Sequence, residues 1–215
     1  MKKIMFNEPF GLQQATFDGT KTMTRRIVPQ VILDYVPQYQ QEYYEQTLST
    51  ISFEDAIMNM VGAEKMFQRY VYNVGEVVAI AQRYSEVFTD AYLIELCGKT
   101  AGWDNKMFVK AELMPHKIVI LQRKLERLQD ISDEDCLREG IYKHNALPDA
   151  LGMDRYKFIG YAYDATNDKF HKRKWFSTPR EAFAALIDKL SGKGTWESNP
   201  LVFAYDYELL KMQDI

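Results

Sequence analysis

Gly19-Thr20-Lys21-Thr22-Met23-Thr24-Arg25-Arg26 is the stretch from which the rest of the chain is best read. The run before it, from Glu8-Pro9-Phe10, carries Phe10, Gln13, Gln14 and Phe17 on one helical face and stops at Gly19. A polar, basic segment of period 2 follows. In an extended chain residues two apart share a face, so Thr20, Thr22, Thr24 and Arg26 lie on one side and Lys21, Met23 and Arg25 on the other. Bringing Lys21 beside Thr24 requires a turn or bulge near Lys21. A lysine whose pKa burial lowers can take a proton from a hydroxyl or from water, and a threonine can act as nucleophile or donor. Arg25 and Arg26 suit a phosphate or a planar base edge. An edge strand kept soluble by its charges has the same composition.

Outward from this segment, strands and short helices mix without a βαβ rhythm. Strands are expected near residues 3–6, 77–81, 107–113, 117–125, 157–163 and 201–209. Ser132 before Asp133-Glu134-Asp135 marks a short helix over 133–139, stopped by Gly140. Thr178-Pro179-Arg180-Glu181 caps a helix over 179–190, with Phe183, Leu186, Ile187 and Leu190 as one apolar stripe. Residues 30–72 are dense in Tyr and Gln and only partly helical, near 53–60. They read as an insertion that rests against the core, lids a cleft, and can be shortened without unfolding the rest. The fold class expected is α+β, a small mixed β-barrel flanked by short helices, in one domain spanning 1–215.

The composition narrows the function classes. With 215 residues, 47% apolar and 27% charged, the chain has the balance of a globular domain. No apolar run approaches the ~18 residues of a membrane span, and the N-terminus lacks a secretory signal's apolar core. Cys97 and Cys136 form no CxxC pair, and His116, His144 and His171 are scattered, so a zinc hydrolase and a thiol redox enzyme are disfavoured. No metal and no cofactor are expected, and the location expected is cytoplasmic. The net charge of −3 argues against a surface coated for nucleic acid. It is unevenly spread, however: five Lys/Arg against two acids in residues 1–30, two against six in 31–70, and four Lys/Arg in the seven residues Lys169–Trp175.

Four blocks together resemble the ASCH family, a branch of the PUA-like superfamily, and in particular its long phage- and prophage-type members. Gly19-x-Lys21-x-x-Thr24-x-Arg26 is similar to the family signature. Val74-Gly75-Glu76-Val77-Val78-Ala79 resembles its turn and strand. Leu125–Ile141, with Arg127-Leu128-Gln129-Asp130-Ile131-Ser132 and Glu139-Gly140-Ile141, resembles a third block, and Gly192–Phe203 the C-terminal one. Residues 30–72 and 142–176 have no counterpart.

The resemblance implies a PUA-like barrel with a cleft between barrel and helices, and a nucleoside or single-stranded nucleic acid as partner. One branch hydrolyses the amide of N4-acetylcytidine with a Lys and a Thr of the first motif and a Glu. By motif position these fall on Lys21, Thr24 and Glu139. In that reading Lys21 takes the proton, Glu139 orients Lys21 or returns the proton to the leaving amine, and Arg25 and Arg26 hold the ligand. Lys21→Ala is then expected to cost rate and to leave stability nearly unchanged. Glu139 sits before a helix-stopping glycine, where the dipole disfavours a carboxylate. The alternative is a reader of RNA or DNA without catalysis, for which Lys172 with Trp175 is the best basic and aromatic pair, and Tyr84, Trp103 and Trp196 are further stacking candidates. Trp196 is better suited to packing the C-terminal turn. A metal-independent ribonuclease resting on Lys21 ranks last.

Overall fold

The computed structural model describes residues 1–146, 158–163 and 174–210, and is α+β. In chain order its elements are β1 (Lys2–Ile4), α1 (Leu12–Phe17), β2 (Met23–Ile27), α2 (Gln30–Thr47), α3 (Phe53–Ala63), α4 (Lys65–Gln68), β3 (Val77–Ile80), α5 (Tyr84–Val87) and α6 (Ala91–Cys97). Then come β4 (Lys117–Arg127), α7 (Asp133–Arg138), β5 (Tyr142–Ala146), β6 (Phe158–Ala162), α8 (Pro179–Ser191), α9 (Thr195–Ser198) and β7 (Leu201–Leu209). Five strands form a mixed sheet in the order β1-β3-β4-β7-β2, parallel only at β1–β3, while β5 and β6 form a separate antiparallel ribbon. A bulge at Leu121, between Ile120 and Gln122, breaks the register of β4 on β7. Such an extra residue bends a strand and sharpens its twist. Among the described residues no ladder pairs β1 with β2. No helix among them is long and apolar enough to cross a membrane.

The turn required near Lys21 is present. Gly19 adopts φ 74°, the backbone N–H of Lys21 donates to Ala15 O at 2.8 Å, and the strand begins only at Met23. The capped helices start as their sequences dictate. Ser132 Oγ accepts from Asp135 N at 3.1 Å, and Thr178 Oγ1 from Glu181 N at 3.1 Å. On α8, Phe183, Leu186 and Ile187 are buried in the apolar cluster that also holds Val202 and Phe203 of the sheet. Each such side chain contributes about 1.5–3 kcal/mol.

Two expectations fail. Residues 107–113 form no strand; they make 3₁₀ turns at Lys106–Phe108 and Ala111–Leu113. Side chains satisfy that backbone in place of a ladder. Lys3 Nζ donates to Met107 O (2.6 Å) and Val109 O (2.7 Å), and Lys110 N donates to Tyr84 Oη at 2.7 Å. The second is that residues 30–72 are helical only near 53–60: helices cover most of 30–68, and the segment rests against the core as expected, sharing its apolar cluster. Ile32, Val36, Ile57, Met60, Val61 and Phe67 are all 0% exposed and join one apolar cluster with the sheet residues Val78, Ile80 and Phe203. Helix α2 persists through Pro37 because Ile32 and Val36 anchor its inner face. Its outer face is laced by Gln30–Asp34, Gln38–Glu42 and Gln41–Glu45 bonds of 2.7–2.8 Å, each an i,i+4 pair worth about 0.2–0.5 kcal/mol.

Candidate functional site

A cleft of about 600 Å³ opens between β2, α8 and the segment following β1. Lys21, Thr24, Arg25, Arg26 and Glu139 all line it. The segment 30–72 contributes none of the described lining residues, so it is no lid; its apolar faces are spent on the core instead.

Lys21 is 2% exposed and Glu139 5%. The Lys21 ammonium donates to Glu139 Oε2 at 2.8 Å, to the Glu139 carbonyl at 2.8 Å and to Met23 O at 2.6 Å. All three of its N–H donors are thereby engaged. Burial pushes the Lys21 pKa down from the ordinary lysine value, against the pull of Glu139, and Arg26 and Arg25 add to the lowering. This burial argues against the expectation that Lys21→Ala spares stability: truncation would leave a buried carboxylate oxygen and two carbonyls without their donor.

Arg25 explains the costly position of Glu139 at the end of α7. Its Nη1 donates to Glu139 Oε1 at 3.2 Å, so the carboxylate is clamped between two buried cations. The rest of the guanidinium is used as well. Nε donates to Glu126 Oε1 at 2.8 Å, and Nη2 reaches Glu126 Oε1 at 2.7 Å and Asp135 Oδ2 at 3.0 Å. Desolvation works to lower the Arg25 pKa, but Glu139 and Glu126 outweigh it, and the net direction is upward. With its side chain 1% exposed and three carboxylates around it, Arg25 organises the site from behind. The network continues outward through Glu126–Lys124 (2.7 Å), Asp135–Arg138 (3.3 Å) and Arg138–Asp206 (3.0 Å). Glu126 and Asp135 were not anticipated from sequence. Asp135 and Glu139 stand four residues apart, and that i,i+4 spacing is the signal that both carboxylates leave one helix face. Glu126 carries no such signal.

Gly140 makes the close approach feasible. Its φ is 102°, and a Cβ there would lie 2.9 Å from Leu12 Cδ2 and 3.4 Å from Lys21 Cδ. Nearby, burial pushes the Cys136 thiol up to about 12, and it also raises the Tyr207 hydroxyl, which shares a 3.0 Å hydrogen bond with Thr16. Cys97 and Cys136 are both free and buried.

Thr24 is 5% exposed and pairs with Tyr205 in the ladder. Arg26 differs from the other cations of the cleft: Arg83 and Lys106 are paired with Glu8, whereas Arg26 has no carboxylate within 4.0 Å among the described residues. Its Nη2 donates to Met5 O at 2.8 Å, and its buried Nε has no hydrogen-bond partner.

The aromatic candidates lie elsewhere. Lys172 falls outside the described residues, and Trp175, beside the Tyr161–Phe176 bridge, is not among the described residues lining the cleft. Tyr84 stacks on Phe88 at 5.1 Å, and Trp103 packs on the same small apolar cluster. Trp196 meets Phe183 edge-on at 6.2 Å beneath the Arg180 guanidinium, and its backbone N–H donates to Asp188 Oδ1 at 2.9 Å, which gives it the packing role expected. No family model matches the chain, and no curated protein or solved structure is found similar to it.

Proposed function

We propose that the cleft binds a modified nucleoside, free or presented by a single strand, and hydrolyses an acyl amide on the exocyclic nitrogen of a cytosine-type base. The observation that carries this reading is the convergence of Lys21, Glu139 and Thr24 on one cleft, with a buried 2.8 Å Lys21–Glu139 bond at its wall. Proton transfer needs hydrogen-bond contact of this kind. Burial pushes the Lys21 pKa down, so the lysine can pass its proton along the 2.8 Å bond to Glu139. The free amine then takes a proton from water. The water oxygen bonds to the acyl carbon, the carbon–nitrogen bond breaks, and Glu139 returns its proton to the leaving nitrogen. The products are the free base amine and a carboxylic acid. Arg26, which has no carboxylate within 4.0 Å among the described residues, is suited to the ligand's phosphate or carbonyl oxygen.

The reading includes ASCH membership and a PUA-like barrel in a cytoplasmic protein. In support of the barrel, Arg26 of β2, one edge of the sheet, bonds the Met5 carbonyl just past β1, the other edge. A second reading, a reader module without turnover, is favoured by the Lys21 ammonium having all three donors engaged.

The test is incubation with N4-acetylcytidine, with other N4-acylated cytosine nucleosides and with single-stranded RNA, followed by mass spectrometry. Loss of the acyl mass supports the hydrolase. Binding without a mass change supports the reader, and strand cleavage supports a ribonuclease. Absence of both binding and conversion across the whole panel refutes the proposal.

A further inference from the structure

The cleft has two unlike walls. One carries Lys21, Glu139 and Arg26; the other is largely apolar and comes mainly from α8. Along that helix Phe183, Leu186, Ile187 and Leu190 form one stripe, and all four line the cleft. Exposure rises along the stripe, from 1% at Phe183 and Leu186 to 9% at Ile187 and 39% at Leu190. A helix whose stripe served the core alone would bury its last member as well. Leu190 instead stands at the cleft with two other exposed apolar side chains, Ile27 of β2 at 43% and Met5 at 38%. Three large apolar groups from three separate segments therefore rim an opening whose depth is lined by Leu128, Leu186 and Val202. Solitary exposed apolar residues are ordinary; a set gathered around a concave site with a polar, cationic far wall is the lining expected for an amphipathic ligand.

We infer that the apolar wall is an acyl-chain subsite, so that the preferred ligand carries, on the group facing Lys21 and Glu139, an unbranched aliphatic acyl chain longer than acetyl. This rests on the reading of the cleft as a site for an acylated base and specifies which acyl group it prefers. Leu186, Ile187, Leu190 and Ile27 are its specificity-determining residues. They act by removing the chain from water and take no part in bond making.

The experiment compares N4-acetyl-, N4-butyryl- and N4-hexanoylcytidine on the full chain, by kcat/KM where acyl is lost and by equilibrium titration where it is not. The expected preference rises with chain length, by about 2- to 4-fold for each methylene buried. Leu190→Gln and Ile27→Thr, both at exposed positions, are expected to lower the hexanoyl-to-acetyl ratio by at least about threefold. Thermal melts verify that both variants are folded. Turnover in which acetyl matches or exceeds hexanoyl overturns the acyl-chain subsite and leaves the hydrolase standing. Absence of turnover with affinity still rising along the series refutes the hydrolase and supports the subsite. Flat or absent affinity without turnover overturns the subsite.

Discussion

Replacing Lys21 by Met keeps most of the side-chain volume and removes the buried charge. Glu139 Oε2 then loses its 2.8 Å partner, as do the Met23 and Glu139 carbonyls, while Arg25 still holds Oε1 at 3.2 Å. Removing one member of a buried pair costs about 3–5 kcal/mol. The remaining Arg25 contact argues for the lower part of that range, about 3 kcal/mol. In a chain of this size about 1 kcal/mol moves Tm by about 2–4 °C, so the melt is expected to fall on the order of 10 °C. Lys21→Met/Glu139→Leu removes both charges and leaves Arg25 with Glu126 and Asp135. That double variant is expected to be less destabilised than the sum of its two single variants by about 1–3 kcal/mol, the usual coupling of contacting charges. Urea unfolding of the four proteins, followed by circular dichroism, measures the cycle. Additive single effects, or a Lys21→Met variant within about 0.5 kcal/mol of the parent, the range of an ordinary surface substitution, would refute a buried, fully engaged Lys21–Glu139 pair.

Gly140→Ala places a Cβ at φ 102°, 2.9 Å from Leu12 Cδ2 and 3.4 Å from Lys21 Cδ; a loss of about 1–3 kcal/mol is expected, with any cleft activity reduced alongside, as read by urea unfolding and the acyl-cytidine assay. Burial holds His116 below the ordinary histidine value while its Nδ1 meets Gln82 Oε1 at 2.6 Å. Below pH ~6.5 the unfolded chain therefore binds more protons than the native one, so His116 makes stability fall as pH drops toward its folded pKa, and His116→Gln is expected to flatten the decline of Tm between pH ~7 and ~5. Deleting residues 35–68 removes Val36, Ile57, Met60, Val61 and Phe67 from the main core; at about 1.5–3 kcal/mol each the loss rivals the total stability of about 5–15 kcal/mol, and recovery of soluble, cooperatively melting protein would show the segment to be dispensable.

What the sequence makes legible is local. The Gly19 turn, the Ser132 and Thr178 caps and the α8 stripe all follow from residues within one or two turns of each other, and each is found where its residues point. The convergence of Lys21 with Glu139 was reached through motif resemblance, across 118 residues that no periodicity connects. Glu126 was illegible because nothing near it in sequence marks it; it is held by Arg25, which lies 101 residues away in the chain. The helical course of 30–47 was hidden by Pro37 and by a Tyr and Gln content that suits no single element. Residues 107–113 are apolar enough for a strand, and only the lysine and tyrosine side chains that reach their backbone from elsewhere decide otherwise.

The position of β7 sets the order in which the molecule can become itself. It lies between β4 and β2, hydrogen-bonded to both. On a ribosome, the segment bearing Lys21 and Thr24 emerges before β7 and waits without that ladder partner until translation has passed Leu209. Until then the helices of 30–68 and the strands β1, β3 and β4 can gather, but the Arg25 guanidinium has no fixed strand to hold it among its carboxylates. The cleft thus takes its shape only once β7 has paired with both β4 and β2. A nascent chain that has not yet reached β7 carries Lys21 and Thr24 without the assembled cleft.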